Sequence, residues 1–174
     1  MSTLTLKELS APTGEVIKIA AGKTLDLKSQ GTVTLPVGTV TQFVRATGST
    51  ETVTTSQTFA NTNAAVTITP LSASSHMYLS HSAGGLANAG AANIGLRITR
   101  AISGGATTNV YTSVRYGYVS TSQWVPVPWS VIDVDEAHNT TSAITYTIQI
   151  NVQSGEARHC DTADWNFVVM EMQQ

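Results

Sequence analysis

The chain has 174 residues, of which 41% are hydrophobic and only 11% are charged, and its formal net charge at pH 7 is −2. The nine Lys and Arg residues are scattered, which argues against binding to nucleic acid through clustered phosphate contacts. Cys160 is the single cysteine and cannot form an intramolecular disulfide, and we find neither a signal peptide nor an apolar run of the roughly 18 residues that a membrane helix needs. Such a low charge density favours a protein whose surface is partly covered in an oligomer.

The first 35 residues contain apolar pairs whose members are two residues apart. The pairs are Leu4 and Leu6, Ile17 and Ile19, Leu25 and Leu27, and Val33 and Leu35. This spacing is typical of strands, but segments this short are marginally stable in water without a partner. We therefore interpret residues 1–35 as an extended β arm that mediates oligomerisation or attachment. The alternative is that its strands join the sheet of their own chain.

The head, residues 36–174, begins at a turn that contains Pro36 and Gly38. Eight segments in it have strand-like alternation: 37–46, 65–69, 76–81, 93–101, 109–119, 125–134, 143–153 and 165–172. In the segment 144–152 the even positions are apolar and the odd positions are polar, which predicts a half-buried antiparallel strand. Residues 82–92 contain three glycines and predict a loop. About eight strands without crossover helices predict an all-β fold, an antiparallel β-sandwich with jelly-roll topology.

Four motifs, taken in chain order, carry a resemblance to a known family. They are LPVGTVTQ at 35–42, SQTF at 56–59 followed by VTITP at 66–70, TTSAITYTIQ at 140–149, and NFVVMEM at 166–172. Together they resemble the small C-terminal head domains of tailed-bacteriophage fibre proteins of the marine and cyanophage type. The resemblance implies a structural virion protein, usually a homotrimer, that is assembled in the bacterial host cytoplasm and has no catalytic residues.

Three functions are consistent with this reading. A short trimeric fibre or spike that contacts the host surface fits the brief arm before the head. A capsid decoration protein that stabilises the phage head is one alternative, and a carbohydrate-binding β-sandwich module is the other. The expected partners are other copies of the chain, tail or capsid proteins, and a host surface glycan. We expect no cofactor, no nucleic acid and no membrane insertion.

Few residues are candidates for chemistry, and we predict no catalytic, cofactor-binding or metal-binding residue. His159, Cys160 and Asp161 are adjacent, with Asp164 nearby, but the chain has no zinc-ligand spacing, so we predict a loop with a buried cysteine. His76 and His81 are five residues apart and fall on opposite faces of one strand. Asp133, Asp135 and Glu136 lack the EF-hand pattern, and together with the neighbouring His138 they predict a solvated loop.

The aromatic residues offer the remaining candidate contacts. Trp124, Trp129 and Trp165 are candidates for stacking on a sugar ring or for packing in a core or subunit interface. Pro126 and Pro128 lie between the first two and predict an edge strand or a bulge. Tyr111, Tyr116 and Tyr118 belong to one strand and are predicted to be packing residues.

Overall fold

A computed structural model of the chain describes residues 21–22, 35–88, 92–161 and 164–174. The head unit runs from Leu35 to Gln174. The predicted arm, residues 1–35, lies almost entirely outside the described residues, so its strands and their pairing stay a prediction.

Within the described residues the head is built from strands and connecting turns. The strands are β1 Val40–Gly48, β2 Thr52–Thr54, β3 Ala60–Ile68, β4 His76–Ala83, β5 Gly85–Ala87, β6 Ala92–Ile102, β7 Thr107–Val119, β8 Val125–Pro126, β9 Trp129–Asp135, β10 Ile144–Val152, β11 Ala157–His159 and β12 Trp165–Met172. The all-β prediction is confirmed.

The strands form three antiparallel sheets of four strands each. The orders are β1-β12-β4-β9 in the first sheet, β3-β10-β6-β7 in the second sheet, and β2-β11-β5-β8 in the third, smaller sheet. The inward side chains of the first two sheets belong to one hydrophobic core. This arrangement is consistent with a β-sandwich.

Strand β10 shows why the sequence pattern fits this fold. Its even positions, Ile144, Tyr146, Ile148, Ile150 and Val152, are all fully buried. The opposite face is half-exposed at its first three positions, as the alternation predicts. Because β10 pairs with β3 on one side and β6 on the other, it is a central strand whose buried face anchors the second sheet.

The third sheet was not predicted. Residues 82–92 were expected to be a loop, but β4 continues to Ala83 and β5 spans Gly85–Ala87. The segment around His159, also expected to be a loop, contains β11. Strands β2, β5 and β11 have three residues each, which is too few for an alternation to appear. They form because β11 pairs with both β2 and β5.

The predicted strand 125–134 is two strands in the structure. Val125–Pro126 forms β8 at the edge of the third sheet, and β9 begins at Trp129 at the edge of the first sheet. Proline lacks the amide hydrogen that a central strand must donate, so Pro126 and Pro128 are tolerated only at an edge or between strands. The edge prediction is confirmed, and the single continuous strand is wrong.

Candidate functional site

Two buried histidines meet beside the third sheet. His81 on β4 and His159 on β11 are buried, with their Nε2 atoms 3.0 Å apart and their rings stacked at a centroid distance of 5.2 Å. Burial, together with repulsion from His159, lowers the pKa of His81 to about 3, and burial lowers the pKa of His159 to about 4. Both rings are therefore neutral at pH 7, one donating its Nε2 hydrogen to the other.

The sequence prediction that His76 and His81 lie on opposite faces is confirmed, since His81 is buried and His76 is partly exposed. The pair with His159 was missed because the two residues are 78 positions apart and on different sheets. The available signal was weak: the alternation of β4 places His81 on the same inward face as Leu79.

Cys160 follows the histidine and is also buried, as predicted. Its φ is 65°, in the left-handed region, and its Sγ lies 3.7 Å from the carbonyl oxygen of Gly48. Burial raises the pKa of the Cys160 thiol. Cys160 is therefore part of the hydrophobic core, as expected for a buried thiol.

An ion pair joins the two large sheets. The Nη1 atom of Arg100 on β6 donates to both carboxylate oxygens of Asp135 on β9, at 2.6 and 2.8 Å. The Tyr146 hydroxyl donates to the same carboxylate at 2.8 Å, and burial together with the Asp135 charge raises the pKa of Tyr146. The prediction of solvated loop carboxylates is wrong for Asp135, which is buried at the end of a strand because Arg100 and Tyr146 satisfy it.

A second buried carboxylate accepts hydrogen bonds from neutral groups. Glu171 on β12 accepts hydrogen bonds from the backbone N–H groups of Leu71 and Ser72 and from the hydroxyl of Ser75, at 2.7–3.0 Å. His138 lies beyond Ser75, buried rather than solvated, with its Nε2 2.7 Å from the Ser75 carbonyl oxygen. Sequence reasoning missed this group, although Glu171 continues the inward positions of Phe167 and Val169.

Ser75, Glu171 and His138 lie close together in the interior of the head. The Ser75 hydroxyl donates to Glu171 rather than to His138, whose Nε2 is 3.3 Å away, and all three side chains are buried. Among the described parts of the chain, no three His, Cys, Asp or Glu residues are grouped so that they could hold a metal ion. The geometry assigns these side chains to holding strands together.

The three tryptophans occupy different environments. Trp129 is buried, donates its Nε1 hydrogen to the carbonyl oxygen of Arg158 at 2.8 Å, and stacks on Tyr116 at 5.4 Å. Trp165 is buried in the same core. Trp124 alone presents a ring to solvent, 41% exposed, with the guanidinium of Arg158 at 4.4 Å from its centroid. External contact therefore stays a prediction for Trp124 alone.

A surface groove of about 390 Å³ lies between the end of β7 and the β8 region. Its lining residues are Ile94, Tyr116, Gly117, Tyr118, Val119, Val125, Pro126, Val127 and Pro128. Tyr118 is 63% exposed, so its prediction as a packing residue is wrong, whereas Tyr111 and Tyr116 do pack against the core. The groove is therefore lined in part by aromatic and proline side chains.

In the residues that the structure describes, no helix has the length and apolar character to cross a membrane. No protein-family model matches the chain, and no curated protein sequence is significantly similar to it.

Proposed function

We propose that this protein is a structural component of a tailed-phage virion, a short homotrimeric fibre or spike whose head has jelly-roll topology and contacts the host surface. It would assemble in the bacterial cytoplasm and bind tail or capsid proteins in the virion. The resemblance of the four sequence motifs to phage fibre heads motivates the proposal. The order in which the strands pair gives the proposal structural support.

The pairs of long strands are nested along the chain. Strand β1 pairs with β12, β3 with β10, β4 with β9, and β6 with β7. A ribbon of two antiparallel strands, rolled so that its turns form two facing sheets, produces this nesting, and it is the defining feature of a jelly roll. The four short strands β2, β5, β8 and β11 fall between successive long strands and pair with one another. This topology is common in capsid and attachment proteins.

The chemistry of the head also supports a structural role. Among the described residues, buried ionisable side chains that are hydrogen-bonded within the fold include Asp135 with Arg100 and Tyr146, Glu171 with Ser75, His138 with the Ser75 backbone, and His81 with His159. These internal bonds support a protein that acts by binding and assembling.

The proposal is tested on purified particles of the phage that encodes the chain. Quantitative mass spectrometry and labelling with an antibody to the head should find the protein at the tail in a copy number divisible by three. Its absence from purified particles would refute the virion proposal. A far higher copy number, with label spread over the capsid, would replace the fibre by the decoration protein.

The groove and Trp124 favour glycan binding as a second candidate. Exposed aromatic faces such as Tyr118 and Trp124 are the surfaces on which sugar rings stack. A glycan array with the wild-type protein and with Trp124→Ala should show binding that the variant loses, while Val114→Ala, a change at another exposed apolar residue, retains it. The absence of binding to any glycan in the array would remove this candidate.

A further inference from the structure

The outer face of the first sheet carries an apolar patch that crosses all four strands. Register aligns Phe43 on β1, Met170 on β12, Tyr78 on β4 and Val134 on β9 in one cross-strand row. None of these four side chains is buried, and Phe43 is 58% exposed. Their strand neighbours at the alternate positions are the ones that face the core.

The next row along the strands extends the patch. It consists of Arg45 on β1, Val168 on β12, Ser80 on β4 and Ile132 on β9, the last 62% exposed. The row after that is polar and consists of Thr47, Asn166, Ser82 and Ser130. On the other side of the Phe43 row lie Val40, Met172 and His76, and at the border of this row His76 and Glu136 approach to 3.8 Å. The patch thus has an apolar centre between polar ends, the anatomy of a protein interface.

The dimensions fit contact with a protein. Four strands about 4.8 Å apart and three rows about 6.6 Å apart give a flat area of roughly 20 by 20 Å. A standard interface takes about 800 Å² of accessible surface from each partner, and its apolar core is a little more than half of that. Protruding side chains such as Phe43 and Tyr78 add to the flat area. The patch therefore supplies the core of a standard interface, and the polar rows supply its rim.

The charges at its borders fit another copy of this chain as the occupant. Arg45 lies on β1, one edge of the sheet, and Glu136 follows β9, the other edge. When the β1 side of one copy contacts the β9 side of the next, opposite charges approach and the apolar rows meet. This contact does not by itself set the number of copies, which comes from the proposed homotrimer.

We propose that this outer face, centred on Phe43, Tyr78, Met170, Val134 and Ile132, is the surface through which copies of the chain associate. The inference deepens the proposed function, on whose homotrimer it rests, by naming the face that forms it. It also explains the low charge of the chain, since a face that is covered in the assembly needs no charged residues to keep it soluble.

The test measures the mass of the full chain by light scattering after size exclusion, across a dilution series. Wild type should have about three times 18.3 kDa. Phe43→Arg and Ile132→Arg place a charge in the contact, and each should weaken association at least about 30-fold, the effect of losing an interface hot spot. The matched control is Val114→Arg, because Val114 is also 58% exposed but lies on β7 of the second sheet. Circular dichroism verifies that all variants fold.

Two results would overturn the proposal. One is a wild-type protein with the mass of a single chain, and the other is an oligomer that folded Phe43→Arg and Ile132→Arg leave intact. Because the virion proposal is tested on particles, the two can fail separately. If the protein self-associates through this face but is absent from virions, the virion proposal is refuted and the interface proposal stands. If it is present in virions but the wild-type chain is a monomer, only the interface proposal is refuted.

Discussion

The buried carboxylate of Glu171 yields the sharpest stability prediction. It accepts hydrogen bonds from four neutral groups: the Gln42 amide, the Leu71 and Ser72 backbone N–H groups, and the Ser75 hydroxyl. These donors tie β12 and β1 to the segment that follows β3. Glu171→Gln keeps the size and shape of the side chain, removes its charge and replaces one accepting oxygen by an NH₂ donor.

The expected loss follows from the bonds. Three donors, from Leu71, Ser72 and Ser75, converge on Oε1 at 2.7–3.0 Å. Hydrogen bonds to charged groups contribute about 1.5–3 kcal/mol and neutral ones about 0.5–1.5 kcal/mol, so neutralisation costs about 1 kcal/mol for each bond. If the Gln42 amide turns its oxygen toward the new NH₂ group, it gives up the bond from its Nε2 to the Thr69 carbonyl oxygen, so the fourth bond adds nothing to the variant. The free energy of unfolding should therefore fall by about 3 kcal/mol.

Urea-induced unfolding at pH 7 measures this difference directly. Glu136→Gln is the control, because it makes the same chemical change at an exposed carboxylate and should alter stability by less than about 0.5 kcal/mol. A Glu171→Gln protein as stable as the control would refute the reasoning, since the charge would then contribute nothing to the bonds.

The same comparison at low pH tests the cause. Burial opposes ionisation of Glu171, but the hydrogen bonds from Leu71, Ser75, Ser72 and Gln42 outweigh it and hold its pKa below the ordinary value of 4.5. The unfolded chain therefore takes up this proton first, and the stabilisation is complete above pH 4.5 and lost as the pH falls through the folded pKa. The gap between wild type and Glu171→Gln should shrink in that window. A constant gap down to the lowest pH at which both proteins fold would contradict the assignment.

Three further changes test the fold. Gly85→Ala would place a Cβ 2.1 Å from a backbone oxygen of β11, so we expect the free energy of unfolding in urea to fall by more than about 4 kcal/mol. Gly105→Ala is the control and should be nearly neutral, because the atom nearest to its Cβ would be 3.5 Å away. The pKa values of His81 and His159 are lowered to about 3 and about 4, so the unfolded chain binds protons first as the pH drops below 6.5. The free energy of unfolding should therefore fall by up to about 1.4 kcal/mol per pH unit for each histidine. A free energy of unfolding that stays constant in this range would refute their burial as a neutral pair. Ile148→Ala should cost about 2–5 kcal/mol by urea unfolding, and a near-neutral result would contradict its place in the core.

Long strands with one buried face were predictable from the sequence. The segment 165–172 coincides with β12, and 143–153 contains β10, because each has an inward face in the core and a more polar or solvent-facing side. Period-two alternation reports that difference directly. The three-residue strands β2, β5 and β11 were not predictable, since they owe their conformation to partners far away in the chain.

The buried polar groups were harder to predict than the apolar core. An aspartate such as Asp135 reads as exposed until Arg100, 35 residues earlier, is known to meet it. Glu171 and His159 are similar, because their partners come from other strands and turns. Propensity and pattern report local preference, whereas satisfaction of a buried charge depends on the whole topology.

Alternation also could not tell an inward apolar residue from an outward one. In β9, Val131 faces the core while Ile132 and Val134 face away from it, so both faces of the strand look buried in the sequence. In a free monomer, folding does not bury an apolar side chain on the outer face, whereas the buried carboxylates of Asp135 and Glu171 inside this head each accept several hydrogen bonds. Phe43 and Ile132 stay 58% and 62% exposed after folding, so burial within this head does not account for their apolar character. The proposed contact between copies would cover both residues, which is why arginine at either position is the change that tests it.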